Sequence, residues 1–114
     1  MSIFNWFSEN SNFNDNIKVL PPLVFRSKIS SSGVQLVDIR TPQEFNMGHI
    51  EKAKNINFFS KDFKLEIEKM DRMKPLYLYC RSGSRSRQAA NVLLRMGFEE
   101  IYDLEGGLLR WENN

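Results

Sequence analysis

Five short runs of apolar and β-branched residues recur along the chain, and each pair is separated by enough polar-patterned sequence for a helix. The runs are Ile17-Lys18-Val19-Leu20, Val34-Gln35-Leu36-Val37-Asp38-Ile39, Ala53 to Phe58, Leu76-Tyr77-Leu78-Tyr79 and Ile101-Tyr102-Asp103-Leu104. Each reads as a strand, the second most strongly. Between them the period changes. Leu23 to Ile29, behind Pro21-Pro22, reads as a short helix with proline in its first turn. Thr41-Pro42-Gln43-Glu44-Phe45 is a helix start with Thr41 as N-cap, Pro42 first and Glu44 three residues after the cap, and Gly48 ends it. Asp62 to Met70 places Phe63, Ile67 and Met70 at helical spacing. Ser86 to Met96 does the same with Ala89, Val92, Leu93 and Met96, and Gly97 closes it. Glu105-Gly106-Gly107 leads into a short terminal helix carrying Trp111.

Strands alternating with helices predict an α/β fold, a parallel sheet covered on both faces by helices through right-handed crossovers. In such sheets functional sites form beyond the carboxyl ends of the strands, and Cys80 directly follows one of them. Ser8 to Asn16 is rich in Asn and Ser and reads as a linker. The expected organisation is a tail or linker over residues 1–16 and one domain over 17–114.

Composition narrows the function classes. The 114 residues are 41% hydrophobic, 26% charged and 12% aromatic, which are the proportions of a globular domain. With one Cys and one His, there is no internal disulfide, and the soft ligands for a zinc or iron–sulfur site are too few. No metal or organic cofactor is expected. Ile3, Phe4, Trp6 and Phe7 lack the basic start of a secretory signal, and no apolar run is long enough to span a bilayer. Without basic flanks they make a poor interfacial anchor, so no membrane partner is expected and the default location is cytoplasmic.

The net charge of +2 is small, but its distribution is uneven. Between Asp71 and Glu99 no acidic residue occurs, while Arg72, Lys74, Arg81, Arg85, Arg87 and Arg95 do. A cationic segment in a near-neutral chain suggests a small-anion site. The cations are too few, and unaccompanied by any reader motif, to point to nucleic acid.

The candidate chemistry lies in Cys80-Arg81-Ser82-Gly83-Ser84-Arg85, between a buried strand and an amphipathic helix. Backbone N–H groups of a tight loop converge into an anion-binding nest. The following helix presents its positive end, and Arg81 and Arg85 add full charge. All three favour thiolate over thiol. Ser82, Gly83 and Ser84 are small enough to let an anion approach the backbone, and the two hydroxyls can donate hydrogen bonds. A cysteine that merely filled core space would not need two arginines, two serines and a glycine in the next five residues.

These segments together resemble the rhodanese-like domains. Asp38 to Phe45, then Gly48-His49-Ile50 and Asn55-Ile56, is similar to the family's N-terminal signature. Cys80 to Arg85 is similar to its active-site loop. Gly97-Phe98 with Leu104-Glu105-Gly106-Gly107-Leu108 and Trp111 is similar to its C-terminal signature. The likeness runs in order from about Ile17 to Trp111. It implies a three-layer sandwich around a five-stranded parallel sheet in the order 1-5-4-2-3. It also implies a sulfurtransferase whose Cys80 takes sulfane sulfur from thiosulfate or a persulfide donor and passes it to a thiophilic acceptor, a thiol or protein among them. Cys80 would be the catalytic nucleophile, and Arg81, Ser82, Gly83, Ser84 and Arg85 would bind the anionic donor. Two positions depart from the family: Lys52 stands where glycine is frequent, and Asn57 where proline often follows the Asn-Ile pair.

Rival readings are weaker. Phosphatases and arsenate reductases of this fold also use an arginine-bearing cysteine loop. Cysteine-loop phosphatases place five residues between Cys and Arg, whereas here Arg85 follows four and the next position is Ser86. A non-catalytic rhodanese-type binding module would have no need of the thiol. Asp38 and His49 suggest a Cys–His hydrolase, but a histidine between Gly48 and Ile50 reads better as a structural hydrogen-bonder, and Asp38 with Arg40 as a buried polar pair.

Overall fold

A computed structural model describes residues 16–112. The expectation of a tail over residues 1–16 therefore lies, but for Asn16, outside the described residues. Five strands, β1 (Ile17–Leu20), β2 (Gln35–Asp38), β3 (Lys54–Asn55), β4 (Leu76–Tyr79) and β5 (Ile101–Leu104), form one sheet in the order β1-β5-β4-β2-β3, every pair parallel. Five helices alternate with them: α1 (Pro22–Ile29), α2 (Pro42–Asn46), α3 (Phe63–Ile67), α4 (Ser84–Arg95) and α5 (Gly107–Glu112).

Strand alternation divides the core into two. On one face Leu76, Leu78 and Cys80 meet Val37, Ile101, Ala89 and Leu93, with Phe63 and Ile67 of α3 beside them. On the other, Tyr77, Tyr79, Tyr102 and Leu104 pack with Phe25 of α1, Leu108 of α5 and Ile50. β4 is buried along its whole length because both faces are covered. Trp111 belongs to the second layer: its ring lies edge-on to Phe25 at 6.2 Å, with the Arg26 guanidinium 3.9 Å from its centre.

Several boundaries differ from those the sequence pattern predicts. The run over 53–58 pairs as a strand only at Lys54–Asn55. Beyond it, Ile56 N–H still donates to Asp38 O and Phe58 N–H to Ile39 O, but the chain then turns at Asn57, whose carbonyl accepts from Ser60 N–H. The helix predicted from Asp62 to Met70 is regular only over Phe63–Ile67, and the last stretch tightens into three-residue turns, Met70 N–H to Ile67 O among them. The helix predicted from Ser86 begins two residues earlier, so Ser84 and Arg85 lie in its first turn. Its N-cap is Gly83, at φ 106°, with no side-chain cap. Apolar periodicity carries no signal for a polar first turn entered through a left-handed glycine.

Candidate active site

Cys80 leaves the carboxyl end of β4 with no exposed surface, and its sulfur is met by the backbone of the loop it opens. Gly83 N–H donates to Sγ at 3.0 Å and Ser86 N–H at 3.3 Å. As a thiol, Sγ lies 3.5 Å from Ser86 Oγ, to which it donates, and the Ser86 hydroxyl donates to Gly83 O at 3.3 Å. Two N–H groups aimed at one sulfur, at the positive end of a twelve-residue helix, form an anion cradle. Gly83 and Ser86 are buried around it, whereas Arg81, Ser82 and Ser84 are exposed on the outer side of the loop.

The loop is anchored from below by α5. Leu108 N–H donates to Cys80 O at 2.9 Å and Leu109 N–H to Arg81 O at 3.1 Å, so the first turn of α5 uses its spare donors on the start of the cysteine loop. Only glycine permits that approach. A Cβ on Gly107 would stand 2.5 Å from the Arg81 carbonyl carbon and oxygen and 2.7 Å from Cys80 O, and its φ is 64°.

The adjoining strand end is fixed by a buried pair. Arg40 Nε and Nη2 donate to Asp38, Nη2 also donates to Gly48 O at 2.6 Å, and Asn55 Nδ2 donates to the carbonyls of Asp38 and Arg40. The Tyr79 hydroxyl accepts from Ile50 N–H at 3.0 Å and donates to the Asp38 carboxylate. Burial pushes the Tyr79 phenol up from its ordinary value, so it stays neutral. His49 is exposed, stacked on Phe45 with ring centres 3.6 Å apart and bonded through Nδ1 to Phe45 O.

The cations around Cys80 are unequally engaged. Arg85 forms a two-pronged ion pair with Glu44, at 2.8 and 3.0 Å. Glu44 also completes the capping box of α2, its Oε1 accepting from Thr41 N–H while its own N–H donates to Thr41 Oγ1. The Arg85 hydrogen bonds pull the Glu44 carboxyl down to about 2 against the opposing effect of burial, with Thr41 helping. Arg87 pairs with Asp103 at 3.2 Å, and Arg72 donates to Met96 O. Arg81 forms no ion pair among the described residues and lines a groove of about 390 Å³ with Arg40, Glu44, Met47 and Leu109. The structure thus brings Cys80, Gly83 and Ser86 together, leaves Arg81 at the groove and turns Arg85 toward Glu44.

Sequence reading missed four contributors: Ser86, Gly107, the second role of Glu44, and Asp103. Ser86 is one residue beyond the loop as read. The signal for Asp103 was present, since an acid stands on the strand face that Ile101 and Cys80 share.

Comparison with known proteins agrees with this geometry. Residues 22–114 match the rhodanese-like domain family. An uncharacterized protein of Bacillus subtilis, YqhL, is 43% identical over 77 residues, which is 68% of this chain but only 60% of that protein. A protein of Shewanella oneidensis named thiosulfate sulfurtransferase GlpE is 38% identical over 81 residues, 71% of this chain and 78% of its own. The crystal structure of a rhodanese-like domain protein from Staphylococcus aureus superposes with a TM-score of 0.73 at 28% identity, covering 82% of this chain and 90% of that one. With a matched sequence over most of its length and the five-stranded parallel sheet in place, this chain belongs to the rhodanese-like domain family.

Proposed function

We propose that the protein is a sulfurtransferase that carries sulfane sulfur as a persulfide on Cys80. The observation behind this reading is the cradle itself: a lone cysteine at a strand end, its Sγ receiving N–H groups from Gly83 and Ser86 at 3.0 and 3.3 Å. A similarity to proteins named thiosulfate sulfurtransferase supports thiosulfate as donor. In the first half-reaction the Cys80 thiolate attacks the outer sulfur of thiosulfate. A new S–S bond forms, the old one breaks, and its electron pair leaves with sulfite. In the second, a nucleophilic acceptor such as cyanide or a thiolate attacks the terminal sulfur, and the S–S pair returns to Sγ. The backbone donors stabilise the negative charge on sulfur in both states. Arg81 draws the dianion to the loop, while Ser82, Gly83 and Ser84 allow it to approach closely; Arg85 supplies charge that Glu44 partly offsets.

Phosphate monoester hydrolysis fits the site poorly. The residue six after Cys80 is Ser86, buried with its N–H on Sγ, so no arginine occupies that place in the ring. Assayed side by side, wild type should form thiocyanate from thiosulfate and cyanide and release no Cys80-dependent product from p-nitrophenyl phosphate. Cys80→Ser should abolish thiocyanate formation with the fold intact. Substantial residual transfer by that variant, or comparable phosphate release by wild type, would overturn the assignment.

A further inference from the structure

Asp103 is the one side-chain acceptor that the described core leaves unsatisfied. It lies in β5, in register with Leu78 of β4 and Val19 of β1, on the sheet face that carries Leu76, Leu78 and Cys80 toward α4. The residue is fully buried, and its Oδ1 has no hydrogen-bond partner, although Oδ2 accepts from Arg87 Nε at 3.2 Å. A bare carboxylate oxygen in an apolar layer is costly and calls for a reason. Its neighbour supplies one. Ser86 precedes the Arg87 that pairs with Asp103, its hydroxyl acts on the Asp103 carboxyl while donating to Gly83 O, and its Oγ receives the Cys80 thiol at 3.5 Å.

We propose that Asp103 accepts the Cys80 proton, with the Ser86 hydroxyl as the bridge. The S–H bond of Cys80 breaks and its proton passes to Ser86 Oγ, while the hydroxyl proton of Ser86 passes to Asp103 Oδ1. The products are a thiolate, an intact serine hydroxyl now donating to that thiolate, and a neutral carboxylic acid. No charge is created in the buried layer; one negative charge moves from Asp103 to the sulfur. Burial raises the Asp103 carboxyl above its ordinary value, with Ser86 and Arg87 opposing, which makes it a better proton acceptor than a solvated aspartate. The charged groups around the pair are few: Arg87 of α4 faces Asp103, Arg85 of α4 feels Cys80, and Arg85 in turn feels Glu44 and Arg40. β1 and β4 contribute Val19 and Leu78 in register, neither titratable. Asp103 is a positioning residue, acting on sulfur only through Ser86.

This inference rests on the reading that Cys80 works as a thiolate, and alkylation tests it without any sulfur transfer. The rate of iodoacetamide modification is followed across pH by intact mass. Two groups sharing one proton lose their protons in two steps, so the wild-type profile should rise in two steps and that of Asp103→Asn in one. Arg87→Ala removes the ion pair but keeps the carboxyl, and should retain both steps. A single step in wild type, or an Arg87→Ala profile matching Asp103→Asn, would overturn the proposal and leave Asp103 as an anchor for Arg87. Should Asp103→Asn not fold, the wild type still decides. The Asp103 carboxyl carbon, followed by NMR, should titrate at lower pH once Cys80 is alkylated, and an unchanged titration would refute the shared proton.

Discussion

Lys52 is the one described non-glycine residue with a left-handed backbone, at φ 75°. The clash of a Cβ in that conformation costs about 1–2 kcal/mol. The turn therefore favours the glycine that the family often has there. Lys52→Gly should stabilise the fold by about 0.5–1 kcal/mol, the relief of strain less the greater entropy glycine loses on folding. Urea unfolding with an unchanged slope measures it. Glu44 predicts a pH effect. Its carboxyl falls from an ordinary 4.5 to about 2 in the fold, chiefly through Arg85. A lowered folded-state value means that the stabilisation is fully present above about pH 4.5 and is lost as pH falls toward 2. Glu44→Gln should flatten the acid decline of stability in that window and lower stability at neutral pH. An acid limb as steep as wild type would show that the Arg85 pair contributes nothing. The places of Cys80 at a strand end and of Thr41 as an N-cap came directly from sequence, because a strand end and an N-cap are recognised by their neighbours. Ser86 and Asp103 did not, because their contacts come from folding a helix start over a neighbouring strand.

At the scale of elements, the docking of α5 beneath the cysteine loop is the most exacting fit. Gly107→Ala would drive a Cβ into the Arg81 and Cys80 carbonyls and add strain at φ 64°. It should cost about 2–4 kcal/mol or displace α5, loosening the donors to Cys80 O and Arg81 O. Thermal unfolding and the loss of protection of the Leu108 and Leu109 amides in hydrogen exchange would report it. Retention of full stability and protection would show that the approach is looser than the structure has it. The Gly-Gly pair was legible as a turn before a helix, but its purpose was not, since close approach to a segment 26 residues earlier leaves no periodic mark (107 − 81). β4 and β5 matched their runs residue for residue, for a strand covered on both faces is apolar at nearly every position, with Asp103 the exception in β5. β3 shrank to two paired residues because the chain turns away from the sheet at Asn57, whose carbonyl accepts from Ser60 N–H.

For the whole molecule, alternation of strand and helix was enough to fix an α/β fold with a parallel sheet, and its order 1-5-4-2-3 followed from the family resemblance. Apolar patterning says which faces are buried, but not which strands are neighbours. The cationic window behaved less simply than its count suggested. Arg85 and Arg87 are each paired with an acid from outside the window, Glu44 and Asp103, so the field at the loop comes chiefly from backbone donors and Arg81. On the proposed reading that field receives a small dianion whose terminal atom reaches one sulfur; no helix among the described residues is long and apolar enough to cross a membrane. The central claim is that sulfur rests on Cys80 between donor and acceptor. The direct measurement is the intact mass of the purified protein before and after thiosulfate, with Cys80→Ser in parallel. The account predicts one added sulfur atom on wild type, released by dithiothreitol or cyanide, and none on Cys80→Ser. An unchanged wild-type mass, or the same added sulfur on the serine variant, would contradict it.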